Sequence, residues 1–155
     1  MYIVLVVLLL GVLPAGSVFA EHSVFHSAAS IPFLMGKWFT FWAVGVRLGL
    51  AGLRQSFQPQ FTARRIFNIQ SDDMLPIVQE LGLANIAMGT LGLVSLAVPA
   101  MILPAAMVGG LYYGLAGLLH VRRSEKNFYE RFAMLSDLFI FGVLAFCVAA
   151  ITAPR

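Results

Sequence analysis

The sequence predicts an all-α fold: a polytopic transmembrane helical bundle with four core helices and one more apolar helix at the N-terminus. Five apolar stretches fill most of the chain, and each is close to the roughly 20 residues that a helix needs to cross a bilayer. Hydrophobic residues make up 60% of the 155 positions and charged residues 11%, against about 25% charged residues in soluble domains. The lipid bilayer is therefore the predicted surrounding of this chain.

The first stretch, residues 1–20, has two interpretations. Small residues precede Glu21, and Ala20 stands where a signal peptidase would cleave. However, no Lys or Arg precedes the apolar run, and the run is longer than the roughly 7 to 15 residues of a signal h-region. We favour a retained N-terminal transmembrane helix, with a signal peptide cleaved after Ala20 as the alternative.

The other four stretches make up the predicted four-helix bundle of residues 21–155. They cover residues 31–53, 76–98, 100–120 and 132–152. Little more than Pro99 separates the stretches 76–98 and 100–120, so these two helices should form an antiparallel hairpin. Glycines at helical spacing predict close packing of helix backbones within the bundle. Residues 57–70 mix aromatic side chains with arginines, which predicts a short amphipathic helix at the membrane surface or an ordinary polar loop.

The basic residues orient the bundle. They gather in two connections, residues 54–75 and 121–131, rather than along one helix, which indicates membrane topology and not a nucleic-acid surface. The connection on the other side, residues 21–30, contains no Lys or Arg. The positive-inside rule therefore predicts a multi-pass protein of the cell inner membrane with both basic loops in the cytoplasm.

Three charged residues lie inside the apolar stretches at a similar depth below one membrane face: Arg47, Glu80 and Asp137. An ionised group at membrane depth costs at least about 2.5 to 3.5 kcal/mol, so such residues usually face the bundle interior and pair. Together with Gln79 and Asn85, which flank Glu80, they form the predicted intramembrane polar cluster. We expect Arg47 to contact Glu80, Asp137 or both.

Tyr112, Tyr113 and His120 are candidates for lining a ligand site beside this cluster. A polar site at this depth would suit a quinone head group or a proton path. The alternative is structural: Arg47 and one acid lock helix packing, and the other acid reaches toward water. Lys37 stands alone near the opposite membrane face and should reach water unaided, so Arg47→Leu should destabilise the protein more than Lys37→Leu.

No catalytic residue is assigned, because the sequence shows no nucleotide-binding loop, metal-ligand set or nucleophile with a base. His22 and His26 stand beside Glu21, but two histidines and one carboxylate are too few for a metal site, so we interpret them as solvated loop residues. One cysteine and three histidines likewise provide no recognisable haem or iron–sulfur ligation. The sequence predicts no metal, and it favours a protein that is not an enzyme.

Two glycine-rich motifs resemble those of DoxX-like four-helix membrane proteins. The first is VRLGLAGLR at residues 46–54, followed by Pro59, and the second combines QELG at residues 79–82 with GTLG at residues 89–92. The DoxX-like pattern likewise has an arginine-led glycine-rich helix, a basic residue at its end, a proline loop, and an acid that leads the next glycine-rich helix. The resemblance implies a DoxX-like core over residues 31–152, with the first stretch as an addition.

The DoxX-like resemblance implies membrane redox work, as a subunit of a thiosulfate:quinone oxidoreductase in which this chain would receive quinone or hold a partner. The motif QELG and the motif LYYGLAG at residues 111–117 also resemble a group of small bacterial integral membrane proteins of uncharacterised activity.

From the residues themselves, we favour an accessory or binding subunit of a membrane assembly, since the chain has little extramembrane mass and no cofactor ligands. Its partners would be other membrane subunits or a second copy. A quinone-linked oxidoreductase subunit is the alternative. A small transporter is less favoured, because it would need discontinuous helices around a midplane site.

Overall fold

A computed structural model describes residues 2–153, which are almost entirely helical and contain no β-strand. The predicted all-α bundle is confirmed. The long helices of this part of the chain are α1 (Tyr2–Val24), α2 (residues 31–57), α3 (Leu75–Ala97), α4 (Ile102–Arg122) and α5 (Phe128–Thr152). A six-residue helix, Phe61–Ile66, lies between α2 and α3 and is called the connecting helix below.

Four of these helices, α1, α3, α4 and α5, are long and apolar enough to cross a membrane. They are compatible with a small, multi-pass integral membrane protein. The sequence predicted five such segments, and α2 has the length but does not belong to the apolar four, because Lys37 and Arg47 interrupt its apolar sequence. The fold gives the reason why this is tolerated: α2 packs against each of the other four long helices, so protein rather than lipid covers much of it.

The helices alternate in direction, which creates two distinct ends. The arginine-rich end contains residues 58–74 and 123–127, and the opposite end contains residues 25–30 and 98–101. The ring of Tyr2 lies 6.0 Å from the rings of both Phe61 and Tyr129, so α1 starts at the arginine-rich end. This arrangement agrees with the predicted alternation of the segments. The membrane side that each end faces stays a prediction.

Helices α2 and α5 extend beyond their predicted bounds. Helix α2 continues to Phe57, so Arg54 and Gln55 lie on a helix rather than in a loop. Helix α5 begins four residues early, because the side chain of Asn127 accepts a hydrogen bond of 2.9 Å from the backbone nitrogen of Glu130 and caps the helix. Both extensions bring polar side chains of the predicted loops into the bundle.

The backbones of α2 and α3 touch along a crossing of glycines. A Cβ built on Gly45 would lie 2.9 Å from the carbonyl carbon of Gly92, and one built on Gly89 would lie 2.7 Å from the Cα of Gly49. Any larger residue would therefore force the helices apart. Six glycines form this crossing: Gly45, Gly49, Gly52, Gly82, Gly89 and Gly92. The predicted packing of glycines within the bundle is confirmed here.

Candidate functional site

All five long helices and the connecting helix contribute to one cavity near the arginine-rich end. Its volume is about 160 Å³, close to that of an engineered protein cavity of about 150 Å³ that holds one benzene molecule. The polar and charged residues that line the cavity are Tyr2, Arg47, Arg54, Gln55, Thr62, Asn85, Tyr112, Tyr113, His120 and Asp137. The cavity can thus hold a polar group of about the size of one ring.

Arg47 and Asp137 both line this cavity without forming an ion pair. Among residues 2–153, neither has an oppositely charged partner within 4.0 Å. The Nε atom of Arg47 is buried and has no hydrogen-bond partner in that part of the chain. The predicted contact of Arg47 with a carboxylate at ion-pair distance is therefore wrong, although the structure does bring Arg47 and Asp137 to the same cavity.

Glu80 and Gln79 lie outside the cavity, which corrects their place in the predicted polar cluster. The face of α3 that meets α2 carries Gly82 and Asn85, and both residues are buried. Successive residues turn by about 100° around a helix axis, so Glu80 points about 200° away from Gly82. Glu80 is exposed, and Gln79 is exposed and donates a hydrogen bond of 3.1 Å to the carbonyl oxygen of Ser56. Similar depth did not imply the same face.

Asn85 is the polar residue of α3 that lines the cavity, beside Leu81 of the same helix. Its side-chain nitrogen donates a hydrogen bond of 2.7 Å to Oε1 of Gln55. Asn85 is 1% exposed, and its Oδ1 atom has no hydrogen-bond partner among the described residues. A buried acceptor without a partner is unusual in folded proteins, where most buried polar atoms are hydrogen bonded.

Tyr113 joins α4 to α2 beside the cavity. Its buried hydroxyl donates a hydrogen bond of 2.7 Å to the carbonyl oxygen of Ala43. Residues Thr40–Leu48, which include Ala43 and Arg47, form a wider, π-helical part of α2. Such segments are frequent at functional sites. Tyr112, the neighbouring residue, lines the cavity as well, and its ring lies 6.1 Å from that of Tyr113.

A fully paired cluster closes the cavity at the arginine-rich end. The Nδ1 atom of His120 donates to Oε1 of Glu130 at 3.0 Å, and Nε of Arg123 lies 3.1 Å from the same oxygen. The ring of Phe67 stacks on His120 with 5.8 Å between ring centroids, and Arg123 donates to the carbonyl oxygen of Phe67 at 3.2 Å. His120 thus lines the cavity, and its Nδ1 atom is already paired with Glu130.

The sequence analysis missed several residues of this region, among them Tyr2, Gln55 and Glu130. Gln55 was assigned to a loop because the predicted end of α2 was placed before Arg54. Glu130 follows Asn127 by three positions, the spacing of a capping box, and this signal could have placed it on the first turn of α5. Tyr2 carries no motif that indicates a cavity.

The opposite end of the bundle contains a second set of charged residues. Lys37 lies 2.8 Å from Oε2 of Glu21, and Nε1 of Trp38 donates to the same oxygen at 2.6 Å. The sequence analysis placed Lys37 alone near this membrane face, and the structure corrects this, because Lys37 is paired with Glu21. His22 and His26 are exposed, and residues 2–153 contain no group of three His, Cys, Asp or Glu side chains that could hold a metal ion.

The residues that line the cavity have hydrogen-bonding capacity that the described residues do not use. Arg47 supplies a donor, and Asn85 and Asp137 supply acceptors. Comparison of the chain with protein-family models, with curated proteins and with solved structures gave no match.

Proposed function

We propose that this chain is a binding subunit of a membrane assembly, and that its cavity holds the polar head group of a small amphipathic molecule. One observation carries the proposal: Arg47 Nε and Asn85 Oδ1 are buried beside the same cavity without hydrogen-bond partners among the described residues. A buried polar atom without a partner costs about 1 to 3 kcal/mol, and more if the group is charged. A ligand that pairs both atoms removes this cost.

The shape of the molecule supports a role within an assembly. Three of its connections are short, residues 25–30, 98–101 and 123–127, and the longer one, residues 58–74, includes the connecting helix. Surfaces outside the bilayer are therefore small, and partner subunits or a second copy would meet the protein through its helices.

Native purification followed by mass spectrometry tests the proposal. The wild-type chain should retain a stoichiometric small molecule. Arg47→Met should lose it, because the ligand then lacks its charged donor. Arg65→Met is the matched control, since Arg65 lies at the same end of the bundle but is exposed and does not line the cavity. A folded wild-type chain without ligand, or equal retention by wild type and Arg47→Met, would overturn the proposal.

A quinone-linked role of the DoxX-like kind is the second candidate. The observation that favours it is that the motif behind this resemblance, residues 46–54, supplies Arg47, Leu48, Leu50, Ala51 and Arg54 to the cavity. A quinone head group is one ring in size, and its carbonyl oxygens would accept hydrogen bonds from an arginine or a tyrosine. The same mass spectra would identify this ligand by its mass.

A further inference from the structure

The cavity has exposed apolar side chains at one side, between α1 and α2, and we interpret this side as its opening. Two of the side chains that line it, Leu5 on α1 and Leu50 on α2, are 43% and 44% exposed. Both lie on long helices of the bundle, so the surface they face is the lipid-facing surface of a membrane protein. At the arginine-rich end, the paired cluster of His120, Glu130 and Arg123 contributes His120 to the lining of the cavity. We therefore expect a ligand to enter from the bilayer, between α1 and α2.

The packing of α1 explains the position of this opening. Contacts between α1 and α2 are concentrated between Leu8–Phe19 and Ile31–Leu48. Two segments lie beyond these contacts: the first turns of α1, Tyr2–Val7, and the last part of α2, Gly49–Phe57. They form the walls of the opening.

The open groups of the cavity carry both signs of charge. Arg47 and Arg54 are seven positions apart, about two helical turns, and so lie on the same face of α2. The guanidinium of Arg54 stacks on the ring of Phe61, 3.4 Å from its centroid, at the side of the cavity. On the acceptor side, Asp137 lacks a cation within 4.0 Å among the described residues, and Asn85 Oδ1 lacks a donor. A matching head group must present an anion and an N–H donor together.

We propose that the ligand is a phospholipid with a primary-amine head group, which enters between α1 and α2 and leaves its acyl chains in the bilayer. This inference rests on the proposed function. The phosphate would pair with Arg47 and Arg54, which suit its planar, bidentate recognition. The ammonium, with three N–H donors, would pair with Asp137 and Asn85. A volume of about 160 Å³ accommodates a head group and not the acyl chains.

Competition between lipids on the full wild-type chain tests the chemical class. Purified protein would be reconstituted in nanodiscs, and phosphatidylethanolamine and its mono-, di- and trimethylated forms would be compared by native mass spectrometry. Retention should fall with each methylation that removes an N–H donor, by about tenfold in total, because a hydrogen bond to a charged group is lost. Phosphatidylglycerol and a quinone complete the series, and both should bind more weakly.

Two variants test the route and the pairing. Leu50→Trp should block the opening and lower retention, whereas Leu93→Trp, at an exposed position of α3 that does not line the cavity, should not. Asp137→Asn should reduce the preference for phosphatidylethanolamine over the trimethylated lipid. The methylation series requires no substitution, so it remains decisive if Asp137→Asn does not fold.

The outcomes separate the two proposals. A wild-type chain that retains no molecule overturns the proposed function and this inference together. A ligand that is lost in Arg47→Met but is a quinone, or one that binds equally well in all methylated forms, overturns the amine-lipid inference and leaves the proposed function standing.

Discussion

Two charged sites, one near each end of the bundle, differ in how their charges are paired. At the opposite end, Lys37 is paired with Glu21, and Trp38 donates to the same carboxylate. Near the arginine-rich end, Arg47 and Asp137 line one cavity without an ion pair between them. Paired charges stabilise a fold, whereas open ones add a cost that a ligand can remove. The difference supports a structural role for the Glu21–Lys37 pair and agrees with the binding role that we propose for Arg47 and Asp137.

Removal of α1 would affect both ends and should have the largest effect. Deletion of residues 1–20 takes away Tyr2 and Leu5, which line the cavity, and Ser17, whose hydroxyl accepts a hydrogen bond of 3.0 Å from Trp42. We expect the deleted chain to lose ligand retention and to be extracted from membranes as aggregate. Size-exclusion chromatography and native mass spectrometry would measure both effects.

We also expect α1 to be retained in cells. The residues around the Ala20–Glu21 bond are helical, and Lys37 and Trp38 hold Glu21. The intact mass of the purified protein checks this, since a chain that has lost its first 20 residues is easily distinguished from one of 16.9 kDa. The shorter mass would show that residues 1–20 are a signal peptide and would remove one wall of the cavity.

Breaking the Glu21–Lys37 pair should lower the free energy of unfolding more than any single substitution in the cavity. Glu21→Leu leaves Lys37 without its carboxylate and Trp38 without its acceptor. Removal of one partner of a buried ion pair costs about 3 to 5 kcal/mol, and partial exposure of this pair should bring the loss toward about 2 kcal/mol. Thermal unfolding in detergent would measure the loss. A melting temperature equal to that of wild type would mean that the two ends do not differ in this respect.

Arg47→Leu should have a smaller effect on the ligand-free protein than the loss of the Glu21–Lys37 pair, whereas the sequence predicted a larger effect for Arg47→Leu than for Lys37→Leu. Since Arg47 has no ion-pair partner within 4.0 Å among the described residues, the substitution breaks no ion pair, although it leaves Asp137 without the cation that shares its cavity. We expect stability within about 1 kcal/mol of wild type, or slightly higher. The same melting assay, after removal of bound ligand, would check this. A loss of the size expected for Glu21→Leu would indicate that Arg47 is paired after all.

The comparison of the ends also shows what the sequence could predict. Length and hydropathy identified all five long helices, because a membrane span is a local property of about 20 residues. Depth along each helix placed Arg47 and Asp137 at the same level, and both do line one cavity. Depth is a local property too, since it follows from distance to the helix end.

The direction in which a side chain points from its helix, and the residue with which it pairs, could not be predicted in the same way. Glu21 and Lys37 are 16 positions apart on two helices, so their contact depends on how the hairpin packs. The direction of Glu80 depends on which face of α3 meets α2, and the glycine pattern of α3 contained that information. Gly82, Gly89 and Gly92 mark the buried face, and a helical projection centred on them places Asn85 inside and Glu80 outside.

Glu80 provides the smallest and most discriminating prediction. If it belonged to the polar cluster, Glu80→Gln would disturb Arg47 and Asp137 and change ligand retention. Because it is exposed on the outward face of α3, we expect a change in unfolding free energy within about 0.5 kcal/mol and unchanged ligand retention. Asn85→Leu, one and a half turns further along the same helix, is the matched comparison and should lower ligand retention, since it removes both the open Oδ1 atom and the hydrogen bond to Gln55. If the two substitutions changed ligand retention equally, the face of α3 that carries Asn85 would not be the face that lines the ligand site.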